Sequence, residues 1–408
     1  MHPDLSPESK ALRAELRAYF AATISEEDRV DLVTQTEGGP TFERILRQMG
    51  KDGWLGLGFP TEYGGRGEDP EALFVFYDEC IRANAPLSLV TLNTVAPALI
   101  KHGTAEQKEY FLPRILAGEL IFAIGYTEPD AGTDLASLQT RAVRDGDDLV
   151  INGNKIFTSA GVFADWVWLA VRTDPDAPRH RGISVVLVPT SSPGFSVTEI
   201  HTVGGISTSA TYYEDVRVPV SNVIGELNQG WGLITNQLNH ERVALAARNG
   251  IANEMYDQVL AWVLAERVGE HRVYDVPWVR SKLAETYALL SASELVNLRL
   301  VADVAANTLD GGDSAAAKIF GTEAVVTAYG MLQEVLGATG LLRPGSRGAA
   351  LDGRVESLGR RSQNNTFGGG TNEVMREIVA AKTLGMTVGA RRAAASTDRA
   401  GVAGAQEG

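Results

Sequence analysis

Three stretches of the 408-residue chain carry residues able to do chemistry. The first is Glu241, in Asn239-His240-Glu241-Arg242-Val243-Ala244-Leu245. Ala244, Leu245 and Ala246 follow it at helical spacing, which places the carboxylate on a largely buried helix. Burial disfavours the charged form, so such a carboxylate is a proton acceptor tuned towards neutral pH. The residue types alone favour a solvated helix glutamate paired with Arg242 or Arg248, because charged helix residues usually face water. The second stretch spans residues 125–160, GYTEPDAGTD and then INGNKIFTSA. Gly125 and Gly132 offer backbone freedom, and Thr127, Thr133 and Ser159 offer hydroxyl donors. Such a set grips a polar, phosphate-bearing cofactor, or else it is a surface loop leading into an Asn-Gly hairpin. No G-x-G-x-x-G joins an apolar run to a helix, and no G-x-x-x-x-G-K-[ST] occurs, so the common nucleotide loops are absent. The third stretch is Gly368-Gly369-Gly370, a tight turn before Thr371.

The elements that must position these residues follow from periodicity. Ser6-Pro7-Glu8 is a helix start, and Leu12, Leu16, Tyr19 and Phe20 share one helical face. Helical spacing returns at residues 42–49, 70–83, 88–102 and 106–117, with a glycine-rich break at Pro60-Thr61-Glu62-Tyr63-Gly64-Gly65. From residue 125 the period changes. Residues 147–151 and 155–159 flank Asn152-Gly153, a hairpin signal. Strands are expected at 166–172, 182–189, 195–200 and 210–218, enough for a barrel or sandwich. Long helices are expected at 231–265, 277–309, 314–336 and 371–383, which suits a bundle. The expected fold is a multidomain α+β arrangement: an N-terminal helical domain (1–122), a middle β-barrel or sandwich domain (123–229), a C-terminal four-helix bundle (230–388) and a disordered tail (389–408).

Composition narrows the function. The net charge is −14, from 37 basic and 51 acidic residues, which argues against broad nucleic-acid or anionic-membrane binding. Cys80 is the single cysteine, so no internal disulfide forms. The polar start, MHPDLSPESK, has no apolar run behind it, and a cytoplasmic location without membrane insertion is the expectation. No metal site is expected.

The run GYTEPDAGTD followed by INGNKIFTSA resembles the flavin-contacting core of the acyl-CoA dehydrogenase family, and the resemblance continues from about Leu5 to Met386. It implies FAD as cofactor and α,β-dehydrogenation of an acyl-CoA thioester to a trans-2-enoyl-CoA. It also implies that Tyr126, Thr127 and Thr133 face the flavin ring and pyrophosphate. Phe157 stands where the family usually has Trp, and Ser159 where it has Thr. Thr371 and Glu373 stand at positions that reach the FAD in relatives. Most members carry the base in a C-terminal Y-E-G-T segment, and here that position is Gly369. One branch places it on a bundle helix in E-R-[LV], which Glu241 matches; the resemblance therefore makes Glu241 the base and Arg242 a CoA contact. The backbone N–H of Gly369 keeps its implied part in holding the thioester carbonyl.

Two further departures point to a partner. In homotetrameric relatives, R-x-x-F-G and Q-x-x-G-G-x-G segments complete a neighbour's FAD site. Here Glu266 and Gly269 occupy the Arg and Phe positions, and Glu334 and Ala338 replace Gln and Gly. Longer runs, including residues 236–245 and 367–374, are similar to the flavin- and base-bearing subunit of the actinobacterial steroid side-chain dehydrogenases, which are α2β2 heterotetramers. That implies a bulky steroid-type acyl-CoA, a paralogous partner subunit and an electron-transfer flavoprotein as acceptor. The alternatives are a homotetrameric isovaleryl-like dehydrogenase, a flavin-dependent N-oxygenase on the same fold, and a scaffold subunit.

Overall fold

The computed structural model describes residues 4–34, 37–235 and 250–386. The N-terminal part is helical: α1 (Pro7–Thr23), α2 (Glu26–Thr34), α3 (Pro40–Lys51), α4 (Pro70–Arg82), α5 (Ala96–His102) and α6 (Ala105–Leu116). Helix α1 starts where Ser6 caps it, its side chain accepting from the Ser9 N–H at 3.1 Å. Leu16 and Phe20 then face the core beside Ile45, Leu46 and Met49 of α3. Thr104 and Gln107 form a reciprocal capping box at the head of α6. The Gln107 amide also donates to the Ser221 and Val223 carbonyls at 2.7 and 3.0 Å, tying this helix to the sheet.

The middle of the chain forms a seven-stranded mixed sheet: β1 (Phe122–Gly125), β2 (Arg141–Asp145), β3 (Asp148–Lys155), β4 (Trp166–Arg172), β5 (Ile183–Pro189), β6 (Phe195–His201) and β7 (Ser207–Pro219). Along its main path the order is β1-β4-β2-β3-β7-β6, and β5 pairs with β4. Strands β4 and β5 are nearly continuous apolar runs because both of their faces are buried. Alternate residues go to different cores. Trp168, Ala170, Ile183, Val185 and Leu187 join the helical core. Val167, Leu169, Val171, Val186 and Val188 meet Leu149, Ile151, Val216 and Val218 from the far strands. One cluster enclosed by both ends of the sheet makes it a half-barrel.

The expected Asn152-Gly153 hairpin is corrected. Both residues lie inside β3, and the register against β7 shifts between Ile151 and Gly153. This is a bulge, locked by a mutual pair: the Asn152 amide donates to the Asp215 carboxylate at 2.9 Å, and the Asp215 N–H donates back at 3.0 Å. The real turn joins β2 to β3 at Gly146-Asp147. Gly146, at φ +66°, takes the first loop position. The strand expected over 155–159 also ends early, at Lys155.

The bundle contains α7 (Gly250–Ala265), α8 (Pro277–Ala305), α9 (Gly311–Leu336), α10 (Arg354–Ser362) and α11 (Asn372–Lys382). Met255, Val259, Leu283, Leu290, Ala328 and Leu332 fill its core. Between α7 and α8 a small hairpin pairs β8 (Arg267–Val268) with β9 (His271–Arg272). Helix α10 adds to the helices expected from periodicity. It touches the β6–β7 turn, where the Arg360 guanidinium donates to the Val203 carbonyl at 2.5 Å.

Candidate active site

The stretch from Tyr126 to Ser159 folds around one buried ion pair. Lys155 Nζ meets Glu128 Oε1 at 2.8 Å and also donates to the Tyr126 carbonyl at 3.0 Å. The other Glu128 contacts are the Thr140 N–H on Oε1 at 2.9 Å and the Gln139 N–H on Oε2 at 2.6 Å. Every charge has a partner, which is what makes such burial tolerable. Burial lowers the Lys155 ammonium to about 8, with Glu128 partly offsetting it. Burial pushes the Glu128 carboxyl up, but Lys155 and two backbone donors outweigh it, so its net shift is downwards. The pair joins residues 126–128, 139–140 and 155, and the Ile156 N–H donates to the Thr127 carbonyl at 2.8 Å to complete the weave.

Tyr126 and Thr127 are thereby tied to the segment that leads into Phe157 and Ser159. The half-buried Tyr126 accepts the Trp168 indole N–H on its hydroxyl at 2.9 Å. Phe157 is 63% exposed despite its size, and at φ +61° its backbone is left-handed. Ala160 shares that conformation at φ +59°. Non-glycine residues avoid this region, and such strain concentrates at functional sites. Thr133 is exposed on the preceding loop, just before Asp134, whose carboxylate meets Arg179 at 2.6 Å. The expected glycine roles change. Gly125 lies in β1, where an added Cβ would come within 2.7 Å of Leu169 Cδ1, so close packing requires it. At Gly132 an added Cβ meets nothing within 4 Å, which leaves the backbone open to approach.

The second group sits on the bundle. Gly369 and Gly370 are left-handed, at φ +69° and +98°. Thr371 caps α11, its hydroxyl accepting the Val374 N–H at 3.2 Å, and Glu373 is exposed in the first turn. Sequence reading missed the residue that holds this turn. Lys318 of α9 donates to the Thr366 and Gly370 carbonyls at 3.2 and 2.8 Å and to the Asn372 side-chain oxygen Oδ1 at 2.7 Å. Its partners lie some fifty residues away in sequence, beyond the reach of any local pattern. Glu241 and Arg242 lie outside the described residues.

The two departures from the flavin-completing segments also have places. Glu266 precedes the β8–β9 hairpin, with Gly269 at its turn, and the Arg267 guanidinium donates to the Glu270 carbonyl of the same hairpin at 2.5 Å. Glu334 pairs with Lys282 at 3.1 Å.

A half-barrel packed against helical domains, with the exposed Phe157 ring on the segment that leaves its strand β3, fits a flavin-dependent oxidoreductase. The chain belongs to the acyl-CoA dehydrogenase family. Its N-terminal, middle and C-terminal domain models match residues 6–119, 123–216 and 228–384. The chain is 48% identical to acyl-CoA dehydrogenase FadE26 of Mycobacterium tuberculosis, over 95% of this chain and 99% of that one. Among solved structures it is similar to the Tcur3481-Tcur3483 steroid ACAD, at 51% identity and a TM-score of 0.91, with 95% and 99% of the chains covered. It is also similar to the ChsE4-ChsE5 complex from Mycobacterium tuberculosis, at 48% identity and a TM-score of 0.89, again with 95% and 99% covered. The protein is an acyl-CoA dehydrogenase, and members of the family are FAD-dependent. The residues fit that cofactor: Phe157 offers a ring surface, Thr127, Thr133 and Ser159 offer donors, and Gly132 leaves room for a phosphate against the main chain. Among the described residues, no helix is long and apolar enough to cross a membrane, and no cluster of metal-binding side chains occurs.

Proposed function

We propose that this chain is the flavin- and base-bearing subunit of a heteromeric acyl-CoA dehydrogenase acting on a steroid side-chain thioester or a similarly bulky acyl-CoA. The likeness to the steroid ACAD structure, over 95% of the chain, carries this reading. In it, Glu241 takes the α-proton and Arg242 contacts the CoA. Gly369 lacks the side chain of the usual base but keeps its N–H as a donor to the thioester carbonyl. Tyr126, Thr127, Thr133, Phe157, Ser159, Thr371 and Glu373 hold FAD, which accepts the β-hydride when bound. Polarising the carbonyl acidifies the α-proton, and a desolvated carboxylate matches it in basicity.

Glu266 and Gly269 support the paralogous partner. A glutamate at the position of a pyrophosphate-binding arginine reverses the charge there, so a partner chain supplies what this one lacks. The electron acceptor in this reading is an electron-transfer flavoprotein. The test is FAD content and flavin bleaching by a steroid side-chain acyl-CoA, for the chain alone and co-expressed with a paralogous dehydrogenase subunit. Flavin recovered only in the mixed complex, and bleached by that substrate, is the expected result. A homotetramer with FAD on every chain, reduced only by short branched acyl-CoAs, would overturn it.

A further inference from the structure

An ammonium group has three N–H donors and no acceptor, and the segment that bears the glycine turn offers Lys318 three acceptors. Two of those acceptors bracket the glycines. The Thr366 carbonyl, at 3.2 Å, lies before them, and the Gly370 carbonyl, at 2.8 Å, closes them. The third, Asn372 Oδ1 at 2.7 Å, is itself fixed. The Asn372 amide donates to Thr322 Oγ1 and Glu323 Oε1, both at 3.1 Å, one turn further along the same helix. Asn372 is buried, and Arg376 closes the cluster on Glu323 at 2.5 Å. The turn is thus drawn onto α9 from both ends. Between them, Gly369 and Gly370 adopt left-handed conformations that a chain of glycines does not choose unaided, since glycine explores both signs of φ. An added Cβ at Gly369 meets nothing within 4 Å, so the position faces open space.

We propose that Lys318 is a positioning residue for the dehydrogenation: by gathering the Thr366 and Gly370 carbonyls around one ammonium, it sets the direction of the Gly369 N–H towards the thioester carbonyl. This rests on the reading of that N–H as the carbonyl's donor. Lys318 touches neither substrate nor flavin in this role. It acts by preorganisation, which places a donor where charge develops and spares the turn any rearrangement during the reaction. Charge alone is not what the site uses. A guanidinium spreads its donors over a planar fork and cannot present three of them from a single atom.

The test compares Lys318→Met and Lys318→Arg with the unaltered protein, each in its FAD-loaded, assembled form. Three quantities are read: FAD per complex, kcat and KM for the acyl-CoA, and exchange of the thioester α-proton into D2O by mass spectrometry. Lys318→Met is expected to keep its FAD and to leave KM little changed. Its kcat and α-proton exchange are expected to fall together by about 10- to 100-fold, the scale of a donor misplaced by about an ångström. Lys318→Arg is expected to recover only part of the loss. FAD-loaded Lys318→Met with kcat and exchange within about twofold of the unaltered protein would overturn the proposal. If Lys318→Met does not fold, Lys318→Arg decides: a parallel fall in kcat and exchange supports the proposal, and unchanged values overturn it. Failure of the proposed function looks different, because the unaltered protein would then show neither flavin reduction nor α-proton exchange with the acyl-CoA supplied.

Discussion

Lys155 reaches Glu128 across 2.8 Å with its side chain wholly buried, and the two residues fasten the start and end of the stretch proposed to hold the cofactor. Removing one partner leaves the other charge buried without compensation. Lys155→Met is expected to destabilise the protein by about 3–5 kcal/mol, read from denaturant unfolding, and to weaken FAD retention. Adding Glu128→Gln should recover part of that loss, so the double variant is less destabilised than the sum of the singles. Strict additivity would show that the two side chains act independently.

The same pair gives a pH dependence. The Glu128 carboxyl is held below its ordinary value by Lys155 and two backbone N–H donors, against the upward push of burial. A lowered carboxylate stabilises the fold above its unfolded value, about 4.3, and that contribution is lost as pH falls towards the folded value. The stability gap between the unaltered protein and Glu128→Gln is therefore expected to be widest near neutrality and to close on acidification below about pH 4.3. Thermal unfolding across pH 3–7 reads it, and a gap that widens in acid would contradict the assignment.

Gly125 is needed for space and not for backbone freedom. An added Cβ would meet Leu169 Cδ1 at 2.7 Å and Val167 Cγ1 at 3.0 Å, both in the closed core of the half-barrel. Gly125→Ala is expected to cost about 1–3 kcal/mol, as overpacking does. Because β1 leads directly into Tyr126, FAD affinity should fall with it. Gly132→Ala, with nothing near its Cβ, should leave stability nearly unchanged.

Glu241→Gln removes the proposed proton acceptor while keeping the size of the side chain. A complex that still binds FAD but turns over about 10²–10⁴-fold more slowly is the expected result. Turnover near the unaltered rate would remove Glu241 from the mechanism.

The order of the elements was legible because burial writes itself into periodicity. Strands β4 and β5 stand out as apolar runs, and Phe42, Ile45, Leu46 and Met49 mark α3 by their spacing. Turn chemistry was not decisive. Asp145-Gly146 and Asn152-Gly153 carry the same signal, and only the pairing with β7 shows which is the turn and which the bulge. Helix α10, RVESLGRRS, has too few apolar residues to announce itself. Within the site, Thr127, Phe157 and Ser159 stand out in the sequence by type. Lys318 and Glu128 do not, since their importance lies in partners brought together by the fold. Lys318 meets carbonyls 48 and 52 residues away, and Glu128 meets a lysine 27 away.

Gln107 has a consequence for how the molecule comes apart. Its amide oxygen accepts the Thr104 N–H at 3.0 Å, while its amide nitrogen serves two carbonyls just beyond β7. A glutamate there could cap the helix equally well but would turn an oxygen towards those carbonyls. The head of α6 and the end of the sheet therefore share one side chain, and neither can open without exposing the other. Hydrogen exchange should find them as one cooperative unit, with the Gln107 side-chain amide exchanging only when the helical domain and the half-barrel separate.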